Sequence, residues 1–189
     1  MVKKKSSAGI LIYQIGQNSF HTNVKGEIRR EDYYLLGHYG GPFFEKKDLG
    51  TWTIPKGEIE ENENILDTAI RELQEETEIQ IQQKENMIAL NPIKQKSGKI
   101  VHAWAYEDKN NIDPQLLKSN SVSLEYPPKS GKTITFPEMD RYDFFNYEEA
   151  LLKINVAQQS FIKELRQQLI LKQLTKQPKI RLVLNKKEP

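Results

Sequence analysis

Between Gly57 and Ile79 the chain carries nine acidic side chains, Glu58, Glu60, Glu61, Glu63, Asp67, Glu72, Glu75, Glu76 and Glu78, against the single base Arg71, although the whole protein is only +2. On a helix turning about 100° per residue, Glu72, Glu75 and Glu76 crowd one face. Leu66, Ala69, Ile70, Leu73 and Thr77 form a separate apolar face suited to burial. Like charges within one turn repel, so the helix gains nothing intrinsic from holding them together. A divalent cation turns that repulsion into coordination, and an all-oxygen ligand set that leaves room for water favours Mg²⁺, with Mn²⁺ as a substitute. Mg²⁺ shared between carboxylates and substrate oxygens is a common arrangement for cleaving phosphoanhydrides. On charge alone, the same segment also reads as a solvated acidic helix face.

The elements that must position these carboxylates can be traced along the chain. Gly9 to Ile15 alternates as a strand, and a short strand follows at Tyr33 to Leu36. Gly37 to Gly50 reads as a loop with Pro42, two phenylalanines and Lys46-Lys47, a composition suited to covering a site. After the strand-like Thr51 to Ile54 and the turn Pro55-Lys56-Gly57, a helix should start at Asn62 or Asn64, either of which can cap it, and run to about Glu78. Strands are expected at Met87 to Ile93 and Ile100 to Tyr106, and strand propensity in TITFPEMDRYDFF is interrupted by Pro137. From Tyr147 the apolar residues Leu151, Ile154, Ala157, Phe161, Leu165 and Leu169 follow a helical spacing, read as one closing helix on the sheet. The expected organisation is one domain over 1–172 and a basic extension over 173–189, in which IRLVL is either an extra strand or a loose tail.

A chain of 189 residues with 37% hydrophobic residues is large enough for a buried core, which excludes global disorder. No apolar run approaches the roughly 20 residues of a membrane span, and the lysine-led N-terminus reads as a first strand rather than a signal peptide. The absence of cysteine excludes a disulfide scaffold, thiolate metal sites and cysteine nucleophiles, and agrees with a cytoplasmic location.

The stretch Gly57, five residues, Glu63, seven residues, then Arg71-Glu72-Leu73-Gln74-Glu75-Glu76-Thr77-Glu78-Ile79 resembles the Nudix box, G-x5-E-x7-R-E-U-x-E-E-x-G-U with U aliphatic. Eight of the nine fixed positions are met. The departure is Glu78, where the family has a glycine that ends the helix in a left-handed conformation. A glutamate there should cost about 1 kcal/mol or let the helix run on. The order GGPFFEKKDLGTWTIPKGE, KQKSGKIVHAWA, YPPKSGK and FPEMDRYDFF is similar to a bacterial branch of Nudix nucleotide pyrophosphohydrolases, over roughly residues 7 to 170. WTIPKGE is also similar to the entry of dinucleoside polyphosphate hydrolases into their box.

The resemblance implies an α/β fold, a Nudix-type α/β/α sandwich with a mixed β-sheet and a catalytic loop-helix. It implies that Glu75 and Glu76 ligate Mg²⁺, that Glu72 joins them or acts as general base, and that Gly57 offers its carbonyl to the metal. Arg71 and Glu63 should pair to hold the loop against the helix. A further acid from outside the box is expected to be Glu138, as ligand or base, against the alternative of a surface strand residue. Lys56, then Lys46, Lys47, Lys96 and Lys99, are the candidate phosphate partners. Trp52, Tyr39, Phe43 and Phe44 offer rings to a base, against core or loop packing.

Other signals are weaker. Ser130 to Thr133 imitates the end of a phosphate-binding P-loop, but Tyr126 stands where its first glycine is needed and no helix signal follows. His21 and His38 read as hydrogen-bonded or exposed, and His102 beside Trp104 is a minor candidate for substrate contact.

Together these readings imply a Mg²⁺-dependent hydrolase cleaving a phosphoanhydride bond in a nucleoside diphosphate-linked compound, with water attacking phosphorus. The alternative is a non-catalytic Nudix-like module binding a nucleotide or RNA. The expected partner is a small-molecule nucleotide, with an RNA 5′ end a less favoured substrate and neither DNA nor a membrane involved.

Overall fold

The computed structural model describes residues 6–16, 21–22, 28–29 and 31–176. Its centre is a mixed sheet in which β1 (Ser6–Ile15) lies between β4 (Asp32–Tyr39) and β8 (Ile100–Glu107). β1 runs parallel to β8 and antiparallel to β4. The edges are β7 (Ile88–Lys94), beside β8, and β11 (Met139–Asn146), beside β4. Two short strands, β5 (Trp52–Thr53) and β6 (Lys56–Glu58), add to β4 and β1. The pair β2 (His21–Thr22) and β3 (Ile28–Arg29) stands apart, as does the hairpin of β9 (Ser121–Glu125) and β10 (Thr133–Pro137).

A central strand between two helical layers must be apolar on both faces, and β1 is. Its Ala8, Ile10 and Ile12 join Leu35, Met139 and Tyr142 in one core with Ala69 and Leu73 of α1 (Ile65–Thr77). Leu11 and Tyr13 point the other way. They join Ala150 of α2 (Tyr147–Lys153) and Phe161, Ile162, Leu165 and Leu169 of α3 (Gln159–Lys176). Each fully buried Leu, Ile or Phe contributes about 1.5–3 kcal/mol relative to its exposed state. The result is the expected α/β/α sandwich.

Several boundaries differ from the sequence reading. β4 continues to Tyr39, so Gly37 is a strand residue and the loop begins at Gly40. Of the two candidate caps, Asn64 starts α1, accepting from the N–H groups of Leu66 and Asp67. Pro137 does not interrupt one strand but ends β10, and β11 then enters a different sheet. The expected closing helix is two helices: Ile154 is extended, and Asn155 accepts from the N–H of Ala157 to start a new turn. Apolar spacing carries through that break because both segments bury the same sheet face, so periodicity could not reveal it. α3 runs to Lys176, past residue 172, and the basic segment from 177 with its IRLVL lies outside the described residues. Among the described residues no helix is long and apolar enough to cross a membrane.

Candidate active site

Pairing of β6 with β1 sets Gly57 beside Ala8, which places the loop before α1 against the middle of that helix. The carboxylate of Glu72 lies directly on Gly57: a Cβ there would stand 1.9 Å from Glu72 Cδ. Only a glycine admits this contact.

Arg71 braces the loop. Its Nε and Nη2 donate to the two carboxylate oxygens of Glu63 at 2.9 and 3.0 Å, a bidentate pair. Its Nη1 donates to Glu72 at 2.8 Å and Glu75 at 3.2 Å. The guanidinium pulls the Glu63 carboxyl down to about 2, and Glu63 and Glu72 in turn raise Arg71 above its ordinary range.

Glu76 is different. It is 1% exposed; its Oε2 accepts the main-chain N–H of Lys56 at 3.0 Å, and its Oε1 has no hydrogen-bond partner. Burial, with the negative charges of Glu138 and Glu72, pushes its carboxyl up to about 8 against the opposing pull of Lys56. Burial also raises Glu72, opposed by Arg71 and reinforced by Glu75 and Glu138. Lys56 is drawn down by burial, but Tyr39, Glu76, Glu138 and Glu72 together carry it above its ordinary value. Glu138 therefore acts electrostatically on Lys56, Glu72 and Glu76 alike, although it comes from a segment more than sixty residues further along the chain.

α1 ends at Thr77, and Glu78 takes a left-handed conformation, φ 61°, at the position where the Nudix box pattern has glycine. Its N–H donates to Gln74 O at 2.8 Å, which closes the helix. The helix stops on schedule, at the strain of a side chain in that region. Tyr142, which sequence reasoning missed, donates its hydroxyl to the carbonyl of Glu76 from β11. Alternation along the strand could not have found it. A register shift between Met139 and Arg141 turns both Met139 and Tyr142 toward α1 despite their opposite parity.

The remaining candidates separate. Lys99 Nζ is 3.4 Å from Glu58 Oε1, at the rim of the box loop. His102 is in register with Ala8, whose other neighbour is Gly57. Lys47 is exposed, with its ammonium 5.5 Å from the Phe44 centroid; Lys46 and Lys96 are exposed. Trp52 is a correction. It is 3% exposed within the core that α2 and α3 cover, its indole N–H donates to Asp48 at 2.9 Å, and its ring meets Phe145 edge-on at 4.7 Å. No face of it is free to stack a base. His38 is fully buried, bonded through Nδ1 to Asp140 and through Nε2 to Lys47 O, both at 2.8 Å. Ser130 to Lys132 lie in the exposed turn of the β9–β10 hairpin and Thr133 begins β10, so a strand and not a helix follows. His21 falls outside the residues whose side chains are described. A cavity of about 720 Å³ lined by Tyr13, Glu107 and Lys109 opens at the other end of β1 and β8, away from these carboxylates.

Among the described residues, no three acidic or histidine side chains already surround a common point. Glu72 and Glu75 are instead held by Arg71. The donor set nevertheless suits a hard cation: every ligand atom is oxygen, and the partnerless buried oxygen of Glu76 is a group that a cation would satisfy.

The NUDIX domain profile matches residues 21–165, and the chain belongs to that family. With that membership, the loop and helix of braced carboxylates beside the sandwiched mixed sheet belong to a hydrolase acting on phosphorus-containing acid anhydrides. Similar solved structures include a C. elegans Ap4A hydrolase binary complex, at 21% identity and TM-score 0.53, covering 87% of this chain and 98% of that one. A MutT/nudix family protein from Listeria innocua matches at 15% identity and TM-score 0.57, over 93% and 99% of the two chains. The NUDIX domain of Shewanella oneidensis NrtR, complexed with ADP ribose, matches at 13% and 0.57, over 89% and 90%. These likenesses show the fold. A search of curated protein sequences returns no match.

Proposed function

We propose that the protein is a divalent-metal-dependent hydrolase that cleaves a phosphoanhydride bond in a nucleoside diphosphate-linked compound, with water attacking phosphorus. The observation that carries this reading is Glu76, a buried carboxylate with one oxygen unpartnered, grouped with Glu72, Glu138 and the Lys56 ammonium. A fold has no structural use for an unpaired buried carboxylate, and its usual cost is tolerated where chemistry needs it.

Glu75 and Glu76, with the Gly57 carbonyl, would hold Mg²⁺ or Mn²⁺, with Glu72 either joining them or standing as the general base; when bound, the ion supplies neutralisation of charge on the anhydride oxygens. Arg71 keeps Glu72 and Glu75 on one side of the helix and ties both to the loop through Glu63. Lys56 meets the polyphosphate as a cation, and Lys99 adds charge at the rim. Glu72 and Glu138 are the carboxylates available to take the proton of the attacking water. Burial strengthens Glu72 as a base at neutral pH, and its contact with Gly57 fixes where that base stands.

Cleavage in ¹⁸O-labelled water tests the reading. Label in a phosphate-bearing product, lost in Glu76→Gln, is expected. Unlabelled phosphates, or undiminished turnover in the variant, would contradict it.

A further inference from the structure

The loop that starts at Gly40 and the β9–β10 hairpin are fastened to each other at Glu138. Gly40 donates its N–H to Glu138 O at 2.8 Å, and a Cβ on Gly40 would come within 2.0 Å of Pro137 O. Gly41, at φ +85°, lies against the Phe136 ring, where a Cβ would stand 2.4 Å from Cε2. β10 ends at Pro137, one residue before Glu138. Wherever Glu138 stands relative to Lys56 and Glu76, the loop and the hairpin stand with it.

This shared frame carries two aromatic pairs. Phe43 of the loop meets Tyr126 of the hairpin edge-to-face, with centroids 5.4 Å apart and planes at 86°. Phe44 packs on Tyr39 at 5.2 Å, and the Lys56 ammonium lies 5.8 Å from the centroid of that same Tyr39 ring. The Tyr39–Phe44 pair thus lies beside the cation that the acidic side chains act on. Phe43 remains 48% exposed, an apolar ring held toward solvent on a loop pinned by two glycines. Its neighbours Phe44 and Tyr126 are only partly covered.

We propose that Phe43 and Tyr126, backed by Phe44 and Tyr39, form the surface on which the planar base of the substrate stacks, so that the loop and hairpin jointly set its specificity. The inference rests on reading the acidic centre as a nucleotide anhydride site. A nucleotide places its base a few bonds beyond its phosphates, and Tyr39 beside Lys56 leads through Phe44 to Phe43, the neighbouring ring along the loop. Phenyl faces carry no donor–acceptor pattern that reads one base edge. Stacking is therefore the source of affinity, tolerant of base identity and strongest for the larger purines. Trp52, the fourth ring offered by the sequence beside Tyr39, Phe43 and Phe44, is buried elsewhere and takes no part.

The test is a fluorescence titration of the full chain with ethenoadenosine 5′-diphosphate in Mg²⁺, with inorganic pyrophosphate as a base-free competitor. Wild type should bind the etheno nucleotide with quenching of its fluorescence. Phe43→Leu and Tyr126→Leu, which keep apolar bulk but remove the ring, should each weaken it about tenfold and reduce the quenching, with pyrophosphate affinity unchanged. Phe43→Trp should retain tight binding. Etheno nucleotide affinity and quenching unchanged in both leucine variants would overturn the proposal and leave the hydrolase reading standing. Failure of wild type to bind either compound would remove that reading, and this proposal with it.

Discussion

The main-chain N–H of Lys56 donates to Glu76 Oε2 at 3.0 Å, joining the loop before the box helix to its last turn across twenty residues. That bond orients a carboxylate whose other oxygen faces inward without a partner. Fold and chemistry make opposite demands on this residue.

Glu76→Gln separates those demands. The folded carboxyl sits near 8, above its ordinary 4.5, so the folded state holds its proton where the unfolded chain has lost it. This contribution to stability is full below about pH 4.5 and is lost as pH rises through about 8. In EDTA, the glutamine variant should lack that decline. At pH 8–9 it should be about 1–3 kcal/mol more stable than wild type by denaturant unfolding, the penalty of an unsatisfied buried group. Its turnover should be abolished.

Arg71→Ala leaves Glu63, Glu72 and Glu75 without their common partner, and turnover should fall at least about a hundredfold, consistent with lost orientation of reacting groups. Arg71→Lys keeps the charge but not the bidentate fork and should recover little. The Glu63 carboxyl, held down to about 2, contributes stability above about pH 4.5 that is lost as pH falls toward 2. Acid unfolding of Arg71→Ala should lack this component when melts are compared between pH 2 and 6.

Glu78→Gly relieves a side chain held at φ 61°. It should stabilise the protein by about 1 kcal/mol in thermal or denaturant melts and leave the metal dependence of turnover unchanged, because the position caps the helix and holds no ligand.

Gly57→Ala should give a folded protein with little activity. The added methyl displaces the Glu72 carboxylate, which lies where the Cβ would be. Circular dichroism and turnover measured together distinguish this outcome from misfolding.

The box helix was legible because chemistry imposes its pattern on sequence: the carboxylate spacing, the apolar face and the Asn64 cap all survive into the structure. The expected Arg71–Glu63 pair is present for the same reason. What escaped depends on contacts between distant segments. Sequence alone leaves Trp52 open between stacking on substrate and packing in the core, because indole suits both, and only its burial against Phe145 decides between them. Tyr142 was hidden by the register shift in β11, and the break between α2 and α3 by continuous apolar spacing across Asn155.

The most direct test of the central claim is a panel of nucleotide anhydrides incubated with the protein and Mg²⁺, with products identified by mass and Glu76→Gln and EDTA as controls. The account predicts cleavage of a phosphoanhydride bond in at least one nucleoside diphosphate-linked compound, lost in both controls. Cleavage that persists in Glu76→Gln, or a folded, metal-binding protein that cleaves no member of the panel, would contradict it.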